Sequence, residues 1–519
     1  MTTQTIHRVA KNTGILYARM AITMFISLYA TRLVLAALGV ADFGLFNLVG
    51  GVIAMLGFLN SSMAAATQRF MSFAQGAGDL EKVKRIFNMS TLLHWGIAIV
   101  TLLVLEIAGY VFFNGVLNIA PERLGVAKII YQFMVISTFF TVISVPYDAV
   151  ITSHENMMVY AILGIIEAIL KMGIALYITY SSQDHLVVYG LLMATLSIFL
   201  LVLRRIYCHS YYAECVLHLR QYYDKPLLKE ISGFAGWSLL GSSSSMIMGY
   251  GQNIIINIFF GTTVNAAQSV SRQLSGQLSV LSLTLIKALN PIIDKSEGAG
   301  NREMMMTATI MGTKISFFLL SFLFVPFFLE MPFLLHLWLQ NVPDYTIVFC
   351  YLMLTGSLLE QFYIPLNNAI AAVGKIKTFQ KIDSLLNILP LIVVCFFYVL
   401  GYPPQTFYLI SIIFIIFKLF NALYAAKINC GLIIPIFMRN IVLKCFLSFF
   451  LTLGISFLPI LFLHQGFFRL ILVLALGIIF YPIMIWNIGI NKNEKFELKK
   501  IFEIIYEKIT FKNKKQNFN

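Results

Sequence analysis

The chain has 519 residues, of which 59% are hydrophobic and only 12% charged, and its mean hydropathy is +0.83. Soluble domains carry roughly 25% charged residues, so the composition excludes an ordinary soluble enzyme and points to an all-α polytopic membrane protein. The net charge of +14 sits in tails and loops between apolar runs, as the positive-inside rule requires, so no nucleic-acid partner is expected.

The N-terminus, Met1–Asn12, is polar and basic and leads into a long apolar run without a small-residue cleavage site, so a removable signal peptide is not expected. Taking ~20 apolar residues per crossing, the chain reads as about fourteen spans. They fall near 13–38, 42–67, 88–112, 126–150, 157–180 and 186–206, then 232–260 and 262–292. The rest fall near 305–330, 344–372, 382–400, 404–426, 438–463 and 466–490. Loops after every second span hold the cations, among them Lys82, Lys84, Arg85, Arg204, Arg205, Lys225, Lys229, Lys375 and Lys377. The opposite loops, such as Asp184–His185 and Gly261–Thr263, hold no Lys or Arg. Both termini are therefore expected in the cytoplasm.

An internal repeat emerges from the glycines. Gly14 and Gly236, Gly39 and Gly261, and Gly76-Ala77-Gly78 and Gly298-Ala299-Gly300 all recur at an offset of 222 positions. Six spans fit in that offset, an even number, so the repeat is expected to be parallel, with a substrate site between halves. This gives an N-lobe over 1–206 (spans 1–6), a basic tyrosine-rich linker over 207–231 and a C-lobe over 232–426 (spans 7–12). Spans 13–14 over 427–490 read as an appendix, and 491–519 as a basic cytoplasmic tail with helical apolar spacing suited to an anionic inner leaflet.

Span 8 carries the most telling stripe. Gln268, Arg272, Ser275, Ser279, Ser282 and Asn290 share one face at 100° per residue, with leucines opposite. An arginine in a span faces a bundle interior or a watery cavity; the stripe is either a seam of hydroxyl glue or the wall of a passage for polar or anionic cargo. Arg272 falls near the midplane, Arg19 in the inner half of span 1, Lys287 nearer the cytoplasm and Arg32 near the outer end. As a ladder these cations suit an anion, since the arginine fork donates bidentately to phosphate. Snorkelling to an interface is the other reading of Arg32 and Lys287. Glu167 and Lys171, four apart in span 5, are expected to pair. Glu106, Glu167 and Glu360 are the acids within spans that are candidates for coupling to H+ or Na+. Ser242–Ser245, Gln252, Asn253 and Asn257 make span 7 polar too, and Pro146, Pro326 and Pro365 lie within spans, where they kink helices.

No catalytic set is legible. The histidines are dispersed, the six cysteines form no CxxC pair, and the Gly76-Ala77-Gly78 loop lacks a Walker ending. Neither metal, nor cofactor, nor enzymatic activity is expected.

The stretch Leu38-Gly39-Val40-Ala41-Asp42-Phe43-Gly44-Leu45-Phe46-Asn47-Leu48-Val49 resembles the O-antigen and polysaccharide flippases of the Wzx type. These share the MOP superfamily with the multidrug and toxin extruders (MATE) and the lipid II flippase. The resemblance implies a MATE-like fold, two six-helix lobes plus two helices, in a bacterial inner membrane. It implies as cargo an undecaprenyl-pyrophosphate-linked oligosaccharide, an O-antigen, capsule or exopolysaccharide repeat, turned over by alternating access. Other polysaccharide-assembly proteins would be its partners. In the lipid II flippase, arginines of spans 1 and 8 face the cavity, and Arg19 and Arg272 occupy similar spans. Asp42 resembles an acid in that family's first outer turn, or is a helix N-cap. Two rivals remain. A MATE-type multidrug or cation antiporter would offer carboxylates in its binding lobes. A glycan polymerase or ligase would need a large outer loop, whereas the longest here is Phe113–Gly125.

Overall fold

A computed structural model describes residues 3–54, 57–116, 121–339, 342–491 and 494–495. Among them every regular element is helical. The first half holds α1 (Thr3–Ala54), α2 (Gly57–Gly76), α3 (Leu80–Val111), α4 (Pro121–Ser153), α5 (Met157–Tyr180), α6 (His185–Tyr211) and the short α7 (Leu219–Tyr222). Then follow α8 (Lys225–Gly298), α9 (Arg302–Leu339), α10 (Thr346–Val373), α11 (Lys377–Val399) and α12 (Thr406–Cys430). The chain ends in α13 (Ile434–Phe437), α14 (Leu443–Phe462) and α15 (Phe467–Met484). Twelve described helices are long and apolar enough to cross a membrane. The helical residues 225–261 are not among them, and they carry the polar Ser242–Ser245, Gln252, Asn253 and Asn257; nor are the helical residues 40–54 and 57–76. The chain is a multi-pass, all-α membrane protein.

α1 and α8 are each two helices joined across a single glycine. Gly39 (φ 74°, ψ 170°) and Gly261 (φ 78°, ψ −171°) each break a continuous helical run. That backbone region is open essentially to glycine alone, so the recurrence in sequence is a recurrence in conformation. The next repeated loop behaves likewise. Gly78 and Gly300 take φ of 73° and 71°. Ala77 N–H then bonds Phe73 O at 3.0 Å, as Ala299 N–H bonds Lys295 O at 2.9 Å. The residue after each glycine caps the following helix: Asp79 accepts from Lys82 N–H at 2.9 Å and Asn301 from Met304 N–H at 3.0 Å. Asn156, Asp184 and Asp224 cap α5, α6 and α8 in the same manner.

The chain divides into two compact units. The first is Asn12–Ser243 with Asp294–Gly300; the second is the N-terminal residues up to Lys11, Ser244–Ile293 and the chain from Asn301 onward. The segment expected as a linker, 207–231, is stitched into the first unit. Tyr212 stacks on His154 with ring centroids 4.3 Å apart, and Asn88 donates to Val216 O at 2.7 Å. Buried Glu214 pairs with His154 and accepts from Gln75 at 3.3 Å. Burial pushes the Glu214 carboxyl up, but the His154 and Gln75 donors outweigh it and hold the group below its ordinary value of 4.5. A folded value below the unfolded one contributes stability that is complete above pH 4.5 and lost as pH falls through the lower value. The melting-temperature difference between wild type and Glu214→Gln is therefore expected to shrink as pH drops below 4.5; a difference that grows there would refute the linkage.

Within the first unit, Arg123 at the start of α4 pairs with both Asp42 and Asp184. Asp42 thus joins α1 to α4 and to the α5–α6 turn.

In the second unit α14 and α15, expected as an appendix, pack on α9. Buried Phe317 meets Phe446, Phe324 meets Phe449 and Phe318 meets Tyr481, all edge to face. Arg469 on α15 grips Glu330 on α9 with two bonds of 2.6 and 2.7 Å, and Lys314 holds Glu494 at 2.9 Å. Glu330 itself lies at a break in α9 (φ −115°, ψ 19°) between Pro326 and Pro332, where the missing proline N–H and ring clash interrupt the ladder. The basic tail lies outside the described residues beyond 495, as do 117–120 of the Phe113–Gly125 loop.

Candidate functional site

The second unit contains a cavity of 330 Å³ walled by α8, α10, α11 and α12. Its polar lining is Gln252 and Arg272 from α8, Ser357 and Glu360 from α10, Asn387 from α11, and Tyr408, Ser411 and Lys418 from α12. Arg272 is exposed toward this space. Among the described residues its one hydrogen bond is a long 3.4 Å contact to Gly249 O, which leaves most of its five N–H donors available to a ligand. Gly249 matters here for room, because a Cβ on it would lie 2.9 Å from Arg272 Nη2.

Lys418 is the second cation of the cavity. Its Nζ donates to Asn387 Oδ1 at 2.8 Å and lies 4.5 Å from the Tyr363 ring centroid. Asn387 is in turn oriented by Ser244 Oγ at 3.2 Å. Two acids, Glu360 and buried Asp383, are the electrostatic neighbours of Lys418. The cavity therefore presents a largely uncommitted guanidinium and an ammonium balanced by carboxylates.

The span-8 stripe splits between the two roles offered for it. Ser271 donates to Thr346 O at 3.1 Å, and Ser275 meets Ser357 of α10 at 3.1 Å, so these serines glue α8 to α10. Gln268 is fully buried and its amide atoms find no partner among the described residues. Ser279 is half-buried, its carbonyl accepting from the Ser282 hydroxyl at 2.9 Å. Arg272 alone of the stripe reaches the cavity wall directly. Lys287 is exposed further along α8, and Arg32 is exposed on α1.

Arg19 belongs to the first unit. Its guanidinium lies 4.3 Å from the Tyr160 ring centroid and crosses α5 at Gly164, where a Cβ would stand 2.3 Å from Nε. Gly164→Ala is expected to push the flexible guanidinium off the ring at a cost of about 0.5–2 kcal/mol, the value of such a pair. A thermal double-mutant cycle with Tyr160→Leu measures this, and strictly additive effects would show that ring and guanidinium do not interact.

Glu167 and Lys171 pair at 2.7 Å, and this pair borders a 210 Å³ pocket shared with Asp148 and Arg204, themselves paired at 2.8 Å. Glu106 is half-buried and accepts from Gln132 Nε2 at 3.1 Å. Sequence reasoning missed Lys418, Asn387, Asp383 and the Asp148–Arg204 pair. A lysine inside span 12 is a functional hypothesis by default, and that signal was present; nothing in the sequence aligned Asn387 or Asp383 with it.

Comparison with family models finds no match, and neither does comparison with curated protein sequences. Solved structures do match. An outward-facing multidrug resistance MATE family transporter of the MOP superfamily superposes with a TM-score of 0.69 at 15% identity, over 82% of this chain and 95% of that one. A MATE protein in its bent conformation gives 0.69 at 16% identity, over 82% and 95%. A MOP superfamily transporter from Pyrococcus furiosus Vc1, whose binding pocket is described as reversed in polarity and suggestive of a different function, gives 0.66 at 14% identity, over 82% and 96%. At such identities the likeness establishes the fold, which is MATE-like.

Proposed function

We propose that this chain is a flippase that carries an undecaprenyl-pyrophosphate-linked oligosaccharide across a bacterial inner membrane by alternating access, with both termini in the cytoplasm. The observation that carries this reading is Arg272, a guanidinium near mid-span that lines a 330 Å³ cavity and spends only one long hydrogen bond on the protein. A charge kept in a membrane helix without a committed partner costs stability, so it is retained for a ligand of opposite sign. Pyrophosphate fits the planar fork, Lys418 adds a second cation, and Gln252, Asn387, Ser357 and Ser411 offer hydrogen bonds to sugar hydroxyls. The prenyl tail stays in lipid. Gln268, Ser275, Ser279 and Lys287 support binding from α8 of the same unit, Arg19 and Arg32 bind substrate within the first unit, coupling to H+ or Na+ runs through Glu106, Glu167 or Glu360, and other polysaccharide-assembly proteins are its partners.

A second reading, a MATE-type multidrug or cation antiporter, is favoured by a specific observation: Glu360 lines the same cavity and, with Asp383, neighbours Lys418. Proteoliposomes separate the two. Flipping of a fluorescent undecaprenyl-pyrophosphate oligosaccharide, with no movement of cationic dyes, is the expected result. Dye export without lipid flipping would transfer the assignment to the antiporter.

A further inference from the structure

We infer that His185 is a proton-binding site, whose imidazolium ties the break in α1 to the end of α5 within the first unit. His185 is the first residue of α6, and both of its ring nitrogens face backbone carbonyls. Nδ1 lies 2.8 Å from Ala37 O, and Nε2 lies 3.0 Å from Ser181 O. A carbonyl oxygen only accepts, and a neutral imidazole carries a single N–H. The two bonds therefore form together only on the doubly protonated ring. Both carbonyls also stand at helix ends: Ala37 lies in the last turn before Gly39 breaks α1, and Ser181 is the C-cap of α5. Carbonyls at a helix end lack intrahelical partners, and the negative end of the macrodipole favours a cation there. The start of α6 opposes that charge, but Asp184 caps it, accepting from Leu186 and Val187 N–H at 3.1 and 3.2 Å.

The charges at this corner ask for the same proton. Asp184 is the electrostatic neighbour of His185, and its partner Arg123 comes from α4 and also holds Asp42 of α1. Two carboxylates and one guanidinium leave one negative charge, which the imidazolium balances. The internal repeat shows that the fold can do without this set. At the 222-position offset Asp42, Arg123, Asp184 and His185 become Val264, Tyr345, Thr406 and Phe407. The register is kept, because Gly39, Pro121 and Gln183 recur as Gly261, Pro343 and Gln405. In the second unit Val264 and Phe407 are buried in one apolar cluster, and Tyr398 of that cluster donates to Pro404 O at 2.8 Å. Rings hold the corner in one repeat and charges hold it in the other. Partly buried charges cost desolvation, so a set that the fold can do without is kept for what it binds. The member that titrates between about pH 5 and 8 is the histidine.

The first test leaves the chain unaltered. Diethylpyrocarbonate acylates only a neutral ring nitrogen, so its labelling against pH, read by mass spectrometry on full-length protein in nanodiscs, gives each histidine's midpoint. Exposed His218 serves as the internal reference. The His185 midpoint is expected to lie about one pH unit or more above that of His218, an about tenfold tighter hold on the proton. A midpoint equal to or below the reference overturns the site. Where His185 resists the reagent at every pH, the melting temperature decides against His185→Gln, which keeps an amide donor. The folded chain holds the proton more tightly than the unfolded chain, whose histidine loses it near about pH 6.5. Wild type should therefore have its full advantage below about pH 6.5 and lose it as pH rises through the higher folded midpoint. An advantage that stays constant over about pH 5–8, or grows with pH, overturns the site. Neither readout needs cargo, so this site and the flippase reading stand or fall separately.

Discussion

Arg469→Ala is expected to loosen α15 from α9 at a cost of about 3–5 kcal/mol, the penalty for stranding one member of a buried ion pair. Glu330 is fully buried and its two oxygens are taken by the Arg469 fork at 2.6 and 2.7 Å. It also sits where the α9 ladder is already broken between Pro326 and Pro332, so no helical neighbour compensates for the lost partner. Hydrogen exchange across 467–484 should accelerate before that of α10 or α12, and the melting temperature should fall. Because a matched apolar pair is often as stable as a buried ion pair, Glu330→Leu combined with Arg469→Met should recover most of the loss. A double variant as unstable as the single one would mean that the pair supplies net attraction rather than mere neutralisation.

Arg272→Ala is expected to lower lipid flipping by about 10- to 100-fold, since hydrogen bonds to a charged group are worth about 1.5–3 kcal/mol each and every 1.4 kcal/mol is about tenfold. Folding should be nearly unaffected, because the protein itself receives only the 3.4 Å contact at Gly249 O. Arg272→Lys should rescue in part: the charge returns without the planar fork. Lys418→Ala supplies the contrast. It leaves Glu360 and Asp383 without their cation, so stability and transport should fall together. Flipping measured on equal amounts of inserted protein decides the matter, and wild-type rates in Arg272→Ala would remove the cavity from the cargo path.

Helix positions were legible because an apolar run of ~20 residues has one solution in lipid. The Glu167–Lys171 pair was equally readable, since residues four apart on one helix face each other whatever the tertiary fold. The span-8 stripe was readable only as an alternative. Periodicity put Gln268, Arg272 and Ser275 on one face, but a face 100° wide borders two neighbours. Packing sent Ser275 against α10 and Arg272 toward the cavity.

By itself the sequence determined what depends on local chemistry: the all-helical character of the apolar runs and the glycine turns repeated at 222 positions, where only a residue without a Cβ takes those backbone angles. Only the tertiary structure decided what depends on which helices meet. It brought Lys418, Asn387 and Glu360 to Arg272 from three other helices, stitched the 207–231 segment to the α4–α5 turn, and locked α15 to α9 through Arg469 and Glu330. In lipid the hydrophobic effect does not choose between helix faces; close packing and paired polar groups do. Lys418 and Asn387 are 31 positions apart, and Arg469 and Glu330 are 139 apart, distances over which no sequence periodicity carries information.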